Sequence, residues 1–351
     1  MVILIENKIP FIKNRLEKFA EVRYLSAEEF TSENVRHADA LIVRTRTRCD
    51  ANLLSGSRVR FIATATIGTD HIDIEWCKAN GIKVVNAPGC NAPAVAQYVW
   101  ASIISIRPKV SDITLGVVGC GNVGRIVAEW GERLGAEVLR CDPLLAARRE
   151  DEYNYMSLEE MLPKCNVVTL HTPLTFSGSH PTYHLISKHE LDLMPLKSVL
   201  INAARGGVVD TPALIEKAKS EDIIPIIDCW EGEPFINEEL LDLAYIATPH
   251  IAGYSLEGKQ RATRMVVEAT ASFFDFPIDK ENLNDLADTY IGKSSISLER
   301  IVESYCPMSD TECLRTNMKI VGNQELKNNL PDLRASRFEH LRSTYKYRNE
   351  A

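Results

Sequence analysis

Short apolar runs alternate with helix-like segments along the first 92 residues. Four of the runs have the length and composition of buried strands, namely residues 2–5, 40–43, 60–63 and 82–85. Residues 11–19 and 70–80 instead space their apolar side chains as amphipathic helices do, and we expect Gly81 to end the second helix. Such alternation predicts a parallel sheet with helices on its faces.

A second α/β block begins after a helix-like segment at residues 93–106. An apolar run leads there into a glycine loop, and further strands are predicted at residues 138–142, 167–170, 199–202, 223–228 and 245–247. Residues 212–219 predict a helix with Asp210 or Thr211 as its cap, and residues 256–274 predict a longer one. The pattern as a whole predicts an α/β protein with two Rossmann-like parallel-sheet domains.

The last segment, from residue 279, is richer in Asn, Asp, Ser and charged residues and has fewer apolar strands. Phe338, Leu341 and Tyr345 are spaced along one helical face, which either packs on a small core of its own or forms an oligomer interface. These shifts mark off residues 1–92, a second block that begins after residues 93–106, and a last segment that begins at residue 279.

Composition narrows the class of protein. The 351 residues are 45% hydrophobic and 25% charged, as in soluble globular proteins, and the net charge of −8 argues against a nucleic-acid partner. The longest apolar run, residues 94–106, is too short to span a bilayer, and the N-terminus lacks the features of a signal peptide. Nine scattered cysteines without a C-x-x-C motif indicate reduced thiols. We therefore expect a cytoplasmic protein with no membrane partner and no metal.

The stretch LGVVGCGNVGR places Gly119, Gly121 and Gly124 in G-x-G-x-x-G spacing, between a predicted strand and a helical pattern. A tight glycine turn at a helix N-terminus brings bare backbone N–H groups against a pyrophosphate. Asp142 ends the next strand, where its carboxylate can accept both hydroxyls of an adenosine ribose and repel a 2′-phosphate. Although each feature also occurs in ordinary turns, the two together predict NAD as the cofactor.

Three polar stretches follow predicted strands of the second block, and parallel strands bring their carboxyl ends to one edge of a sheet. They carry Arg205 in N-A-A-R-G, Glu233 in E-G-E-P and His250 in T-P-H. Arg205 supplies a rigid charged fork for a carboxylate or a polarised carbonyl. His250 can accept a hydroxyl proton while Glu233 orients the imidazole and stabilises its protonated form. Singly each residue has an ordinary structural explanation, but together they predict a hydride-transfer site.

Arg44, Arg46 and Arg48 alternate just after a predicted strand of the first domain. This loop could hold a phosphate through charge-assisted hydrogen bonds. If only some of the arginines point inward, period-two alternation predicts that the three share a side. A solvated edge with ordinary surface charge is the alternative.

The three polar stretches resemble the catalytic motifs of the D-2-hydroxyacid dehydrogenase family, which are an Arg in N-x-x-R-G, a Glu before Pro and a His in T-P-H. The likeness spans residues 1–275 and includes the stretches VRTRT, ATATIGTDH, APGCNAP and HIAGY. It implies that Arg205, Glu233 and His250 are catalytic and that a phosphorylated 2-hydroxy acid is oxidised. Thr45 stands where relatives often carry Ser, a change that keeps the hydroxyl.

The resemblance, together with the glycine loop, assigns residues to ligands. Those expected at NAD are Gly119, Gly121, Asn122, Val123, Gly124, Asp142, Thr172, Ala203, Ala204, Arg205, Asp228 and Gly253. Those expected at the substrate are Arg44, Thr45, Thr66 and Tyr254. Residues 1–92 with 255–278 would form a flavodoxin-like substrate-binding domain, residues 93–254 the NAD-binding Rossmann domain, and residues 279–351 a small α+β domain that builds a homodimer.

Two alternatives to this activity stay open. The first is a dehydrogenase for another phosphorylated acid, such as 3-phosphoglycerate. The second is a non-catalytic NAD-sensing protein, like the co-repressors that resemble this family. The acidic chain and the complete Arg, Glu and His set favour catalysis over sensing.

Overall fold

The structure is a computed structural model that describes residues 1–148, 153–278, 283–288, 296–319 and 330–351. Its strands are β1 Val2–Glu6, β2 Glu21–Leu25, β3 Ala40–Val43, β4 Phe61–Thr64, β5 Lys83–Val85, β6 Thr114–Val118, β7 Glu137–Cys141, β8 Val167–Leu170, β9 Ser198–Asn202, β10 Ile223–Ile227 and β11 Ile246–Ala247. Its α-helices are α1 Ser32–Val35, α2 Ala51–Leu54, α3 Ile74–Ala79, α4 Ala92–Ile106, α5 Asn122–Leu134, α6 Pro143–Arg148, α7 Leu158–Met161, α8 Lys188–Leu193, α9 Thr211–Lys219, α10 Glu238–Leu243, α11 Leu256–Phe274, α12 Leu298–Ser304, α13 Pro307–Met318 and α14 Leu330–Thr344. None of these helices is long and apolar enough to cross a membrane.

The chain divides into two compact units. The first consists of Met1–Asn91 and Ser255–Ile291, and the second of Ala92–Tyr254 and Gly292–Ala351. The expected third domain, residues 279–351, does not separate in this division, because most of it groups with the second unit.

The first unit is built on a parallel sheet in the order β2-β1-β3-β4-β5, the flavodoxin-like order. The side chains of successive residues of β1 lie in two different hydrophobic clusters. Ile3 and Ile5 belong to one cluster and Leu4 to the other. Burial of both faces explains why these strands are almost continuously apolar. On one face α11 covers the sheet, where Phe273 stacks on Phe61 with 4.7 Å between ring centroids.

The second unit is built on a parallel sheet in the order β11-β10-β9-β8-β6-β7. Its strands end in register across the sheet: Cys141 pairs with Val118, Val118 with Leu170, Leu170 with Asn202, Asn202 with Ile227, and Ile227 with Ala247. Every loop that follows these strands therefore leaves from the same edge. The prediction of two parallel-sheet α/β domains is confirmed, and the ligand-binding edge of the second sheet is defined.

The helix prediction for residues 11–19 is wrong, because this segment forms a series of turns. Phe11 and Asn14 have φ values of 61° and 65°, in the left-handed region that an α-helix cannot contain. The apolar spacing instead buries Ile12 and Leu16, which are 1% and 0% exposed, in a core cluster of the first unit.

The described part of the C-terminal segment packs on the second sheet. Thr311 in α13 accepts a hydrogen bond through Oγ1 from the backbone N–H of Ala247 in β11, at 3.1 Å. Phe338 of α14 is 0% exposed and lies in the same core cluster as Leu240. Of the face that the periodicity identified, Phe338 thus packs in the interior of its own unit, whereas Leu341 and Tyr345 are half-buried.

We predict that Phe338→Ala lowers the free energy of unfolding by about 3–5 kcal/mol, because it leaves a cavity in the core of the second unit. Phe176→Ala is the control, since this ring is 73% exposed and its removal should change stability by less than about 0.5 kcal/mol. Urea unfolding followed by circular dichroism measures both. A Phe338→Ala protein as stable as its parent would contradict the packing described here.

Candidate active site

The glycine loop after β6 needs each of its glycines for a different reason. Gly119 has a φ of 85°, and a Cβ there would lie 2.9 Å from the carbonyl group of His171. A Cβ on Gly124 would lie 1.9 Å from the carbonyl oxygen of Gly119, so only glycine lets α5 begin this close to the loop. Gly121, the N-cap of α5, has open space around its Cβ position. This open N-terminus has the shape and polarity that a pyrophosphate requires.

Asp142 follows β7 beside this loop and is half-buried. Its Oδ2 accepts a hydrogen bond from the backbone N–H of Cys120 at 2.9 Å, and its Oδ1 accepts one from Leu145 at 3.0 Å. A carboxylate offers about four acceptor positions, so these two bonds leave room for ribose hydroxyls. Asp142 thus also holds the loop in place, a role that the sequence did not indicate.

The other residues expected at NAD lie at or beyond the same edge of the sheet: Asn122, Val123, Thr172, Ala203, Ala204, Arg205, Asp228 and Gly253. Thr172 carries the most informative side chain, because its Oγ1 is buried and has no hydrogen-bond partner among the described residues. A buried hydroxyl without a partner is costly and indicates a ligand. Burial of the neighbouring His171 lowers the pKa of its imidazole to about 3, so this side chain is neutral at pH 7.

The two residues predicted to form a catalytic pair, His250 and Glu233, are in hydrogen-bond contact. His250 Nδ1 lies 2.6 Å from Glu233 Oε1. Burial alone would raise the pKa of Glu233, but the charge and hydrogen bond of His250, together with the charge of Arg342, outweigh it and lower the pKa from 4.5. Glu233 is therefore ionised at neutral pH. Its carboxylate can accept the hydrogen on Nδ1 of His250, which leaves Nε2 as the nitrogen that can take a proton.

The loop that carries Arg205 is locked against the loop that carries Glu233. A Cβ on Gly206 would lie 2.0 Å from the backbone carbonyl of Trp230, so the two main chains are in direct contact. Asn202 closes the turn by donating from Nδ2 to the carbonyl oxygen of Arg205 at 3.0 Å. Arg205 itself is half-buried, and its Nη1 donates to the Ala204 carbonyl oxygen at 2.8 Å. The structure thus brings all three predicted catalytic residues to one edge.

Asp228 shapes the loop around His250. Its carboxylate is 1% exposed and accepts hydrogen bonds from Thr248 Oγ1 at 2.6 Å, from the N–H of Ile251 at 2.8 Å and from the N–H of Ala252 at 3.0 Å. Burial raises its pKa, against the effect of these bonds and of the His250 charge. Its position shows a structural role, and direct contact with NAD stays a prediction.

Comparison with known proteins decides the family. Residues 92–252 match the D-isomer specific 2-hydroxyacid dehydrogenase family, NAD binding domain. Erythronate-4-phosphate dehydrogenase of Bacteroides fragilis is 40% identical over 356 residues, which cover 100% of this chain and 97% of that protein. The enzyme of the same name from Marinobacter nauticus is 40% identical over 367 residues, covering 100% and 93%.

The chain belongs to the D-isomer-specific 2-hydroxyacid dehydrogenase family. Among solved structures, the NAD⁺-bound 3-phosphoglycerate dehydrogenase of Entamoeba histolytica matches with a TM-score of 0.68 and 28% identity, over 83% of this chain and 99% of its own. The family match confirms NAD as the cofactor, and the open Gly121 position and the Thr172 hydroxyl fit it.

In this dehydrogenase the expected row of arginines in the first unit does not form. Residues 45–47 make a turn, closed by a hydrogen bond from the Thr47 N–H to the Arg44 carbonyl oxygen at 3.2 Å, so period-two alternation ends with β3. Arg44 is half-buried and donates from Nη1 to the Lys8 carbonyl oxygen at 3.0 Å. Arg48 instead pairs with Asp50 at 2.7 Å near the surface.

The other residues expected at the substrate lie in both units. Thr45 is exposed, and Thr66 donates from Oγ1 to the Gly68 carbonyl oxygen at 3.0 Å. Tyr254, in the second unit, packs edge-to-face on Tyr345 with 6.0 Å between ring centroids. Their contact with the substrate stays a prediction.

Sequence reasoning missed two groups beside the catalytic pair. His184 Nε2 lies 2.6 Å from Glu231 Oε1, which ties the segment before β9 to the Glu233 loop. Arg342 of α14 hydrogen-bonds to the side chain of Tyr254 and contributes to the low pKa of Glu233. The first pair could have been suspected, because Glu231 is itself part of the E-G-E-P motif, whereas Arg342 lies in the stretch FEHLR, to which the sequence assigned no role at the site.

We predict that Gly121→Ala leaves folding intact and weakens NAD binding at least about tenfold, because the added methyl occupies the space where the backbone approaches the pyrophosphate. Gly124→Ala is the contrasting variant, which should also lower the melting temperature, since its Cβ collides with the Gly119 carbonyl. Calorimetric titration with NAD and thermal unfolding separate the effects. Unaltered NAD affinity in Gly121→Ala would refute the placement of the pyrophosphate.

We also predict a pH-dependent contribution of Glu233 to stability. Its pKa is lower in the folded than in the unfolded chain, so the stabilisation is present above the unfolded value of 4.5 and is lost as the pH falls through the folded value. Wild type should therefore lose stability with acid more steeply than Glu233→Gln below pH 4.5. Urea titrations at several pH values, with the exposed Glu33→Gln as control, measure this. Parallel curves for wild type and Glu233→Gln would contradict it.

Proposed function

We propose that this dehydrogenase oxidises the C2 hydroxyl of 4-phospho-D-erythronate with NAD, forming (R)-3-hydroxy-2-oxo-4-phosphooxybutanoate for the biosynthesis of pyridoxal 5′-phosphate. The observation that carries the chemistry is the 2.6 Å contact between His250 and Glu233. The substrate is supported by the name shared by relatives that are 40% identical over the whole chain.

The reaction needs a base for the hydroxyl proton and an anchor for the carboxylate. His250 takes the proton at Nε2, because Nδ1 is engaged by Glu233. The ionised Glu233 then stabilises the imidazolium that forms. Arg205 binds the substrate carboxylate and the developing carbonyl oxygen through its planar fork. Bound NAD supplies the hydride acceptor.

The substrate phosphate needs cationic or hydroxyl partners. Arg44, Thr45, Thr66 and Tyr254 are proposed to contact the substrate. Arg44 keeps a charged guanidinium that is only half-buried, and Thr45 presents an exposed hydroxyl. The proposed substrate contacts are supported by the family resemblance. They are not supported by a row of arginines on one side of the chain, because the turn at residues 45–47 separates the arginines.

The proposal includes a homodimer in the cytoplasm, for which the family resemblance is the support. The described C-terminal helices leave exposed positions for such an interface on faces other than that of Phe338. Light scattering coupled to size-exclusion chromatography distinguishes a dimer from a monomer of 39.3 kDa.

One assay separates the candidate functions. Purified protein is mixed with NAD and either 4-phospho-D-erythronate or 3-phosphoglycerate, and NADH fluorescence is followed. The proposal expects the higher kcat/KM with 4-phospho-D-erythronate. Preference for 3-phosphoglycerate would instead support the activity after which the Entamoeba histolytica enzyme is named. NAD binding without any turnover would support a sensor.

His250→Ala should lower kcat by about 10²–10⁴-fold while NAD affinity stays within about threefold, because a positioned base acts on the chemical step. His189→Ala is the matched control, since that imidazole has a side chain that is 65% exposed and lies outside the site. Steady-state kinetics and NAD titration of both variants provide the test. Full turnover by His250→Ala would show that His250 is not the base of the reaction.

A further inference from the structure

The loop that carries His250 is held from two opposite sides. On its N–H side, the Asp228 carboxylate accepts from Ile251 and Ala252. On its carbonyl side lies Arg348, only a few residues from the C-terminal residue of the sequence. Nη1 of Arg348 donates to the carbonyl oxygens of Ile251 at 3.2 Å and of Tyr254 at 3.3 Å, and Nη2 donates to that of Ala252.

The guanidinium of Arg348 uses its full donor capacity. Besides the loop carbonyls, Nη2 donates to the Ala94 carbonyl oxygen at 3.0 Å and Nε donates to Gln97 Oε1 at 3.1 Å, both in α4. A guanidinium has five N–H donors in a fixed fork, and each finds an acceptor here. Arg348 therefore joins the catalytic loop rigidly to a long buried helix of the same unit.

Arg348 is itself held in place. Its guanidinium carbon lies 4.2 Å from the centroid of the Tyr305 ring, a cation–π contact. The Tyr305 and Tyr345 hydroxyls both donate to Asp310 Oδ2, at 2.8 and 3.0 Å. These side chains of the C-terminal segment surround the guanidinium of Arg348 and fix its position beside the loop.

The loop needs such support because its backbone is strained. His250 has a φ of 56°, in the left-handed region that non-glycine residues rarely adopt. Residues held in this way persist only when the surrounding structure over-determines them. The same residue makes the 2.6 Å contact with Glu233. A displacement of about 1 Å at a catalytic group can cost about 10²-fold in rate.

We propose that Arg348 is a positioning residue that holds the His250 loop in its catalytic conformation, so that the C-terminal segment forms part of the catalytic apparatus. The kinetic part of this inference rests on the proposed function. Arg348 contacts backbone carbonyls and α4 and acts on the reaction through the loop alone.

Arg348→Gln tests the inference, with Arg315→Gln as the matched control. Arg315 also belongs to the C-terminal segment and donates to backbone carbonyls, those of Leu241 at 3.4 Å and of Ala244, but it does not touch the His250 loop. Both variants should lose similar thermal stability. Only Arg348→Gln should lose kcat, by about 10–100-fold. Arg348→Lys, which keeps the charge but not the fork, should recover only part of the rate.

A second measurement does not depend on the substrate. Amide hydrogen exchange at residues 250–254 should become faster in Arg348→Gln and stay unchanged in Arg315→Gln. Equal kcat in the two variants, or unchanged exchange in Arg348→Gln, would overturn the inference. If wild type fails to oxidise 4-phospho-D-erythronate, the proposed function fails, and the exchange experiment still decides whether Arg348 holds the loop.

Discussion

The buried carboxylate of Asp228 is the interaction on which the arrangement of the site depends. It follows β10 at the edge where the six strands end in register, and it accepts bonds from Thr248, Ile251 and Ala252. A carboxylate that is 1% exposed is tolerated only if its oxygens are bonded, so the loop must adopt the conformation that supplies those donors. That conformation brings the imidazole of His250 to Glu233.

Close contacts between main chains fix the relative positions of the other loops of the site. Gly124 lets α5 start against the carbonyl of Gly119, and Gly206 lets the Arg205 loop touch the backbone of Trp230. Backbone contacts have no rotamer freedom, so they fix the distances between loops more tightly than side-chain packing does. The glycine loop predicted to bind the cofactor and the loops of the predicted catalytic residues are therefore positioned in the same way, by a glycine where two main chains touch.

The sequence was most informative where chemistry depends on strand ends. Gly119, Arg205, Glu233 and His250 each follow a strand of the second sheet, and parallel topology alone brings such positions together. Apolar periodicity was less reliable. It identified the buried residues of segment 11–19 but assigned them to a helix, and it missed β2, whose sequence EVRYL alternates charged and apolar residues at the edge of a sheet. In segment 11–19 the neighbours in space determine the backbone, whereas the alternation in β2 is the pattern of a half-buried edge strand and could have been used to predict it.

Arg348 illustrates why the rest of the site lay beyond sequence reasoning. Its partners are backbone carbonyls, which every residue has, so no pairing of side-chain types marks the contact. The physical logic is nevertheless simple once the fold is known. A peptide loop presents N–H groups on one side and carbonyl groups on the other, and here an anion meets the first and a cation the second. Asp228 and Arg348 bind the backbone of the same residues from opposite sides. Loss of either side chain therefore leaves polar backbone groups without a hydrogen bond and removes one of the contacts that hold His250 in its strained conformation.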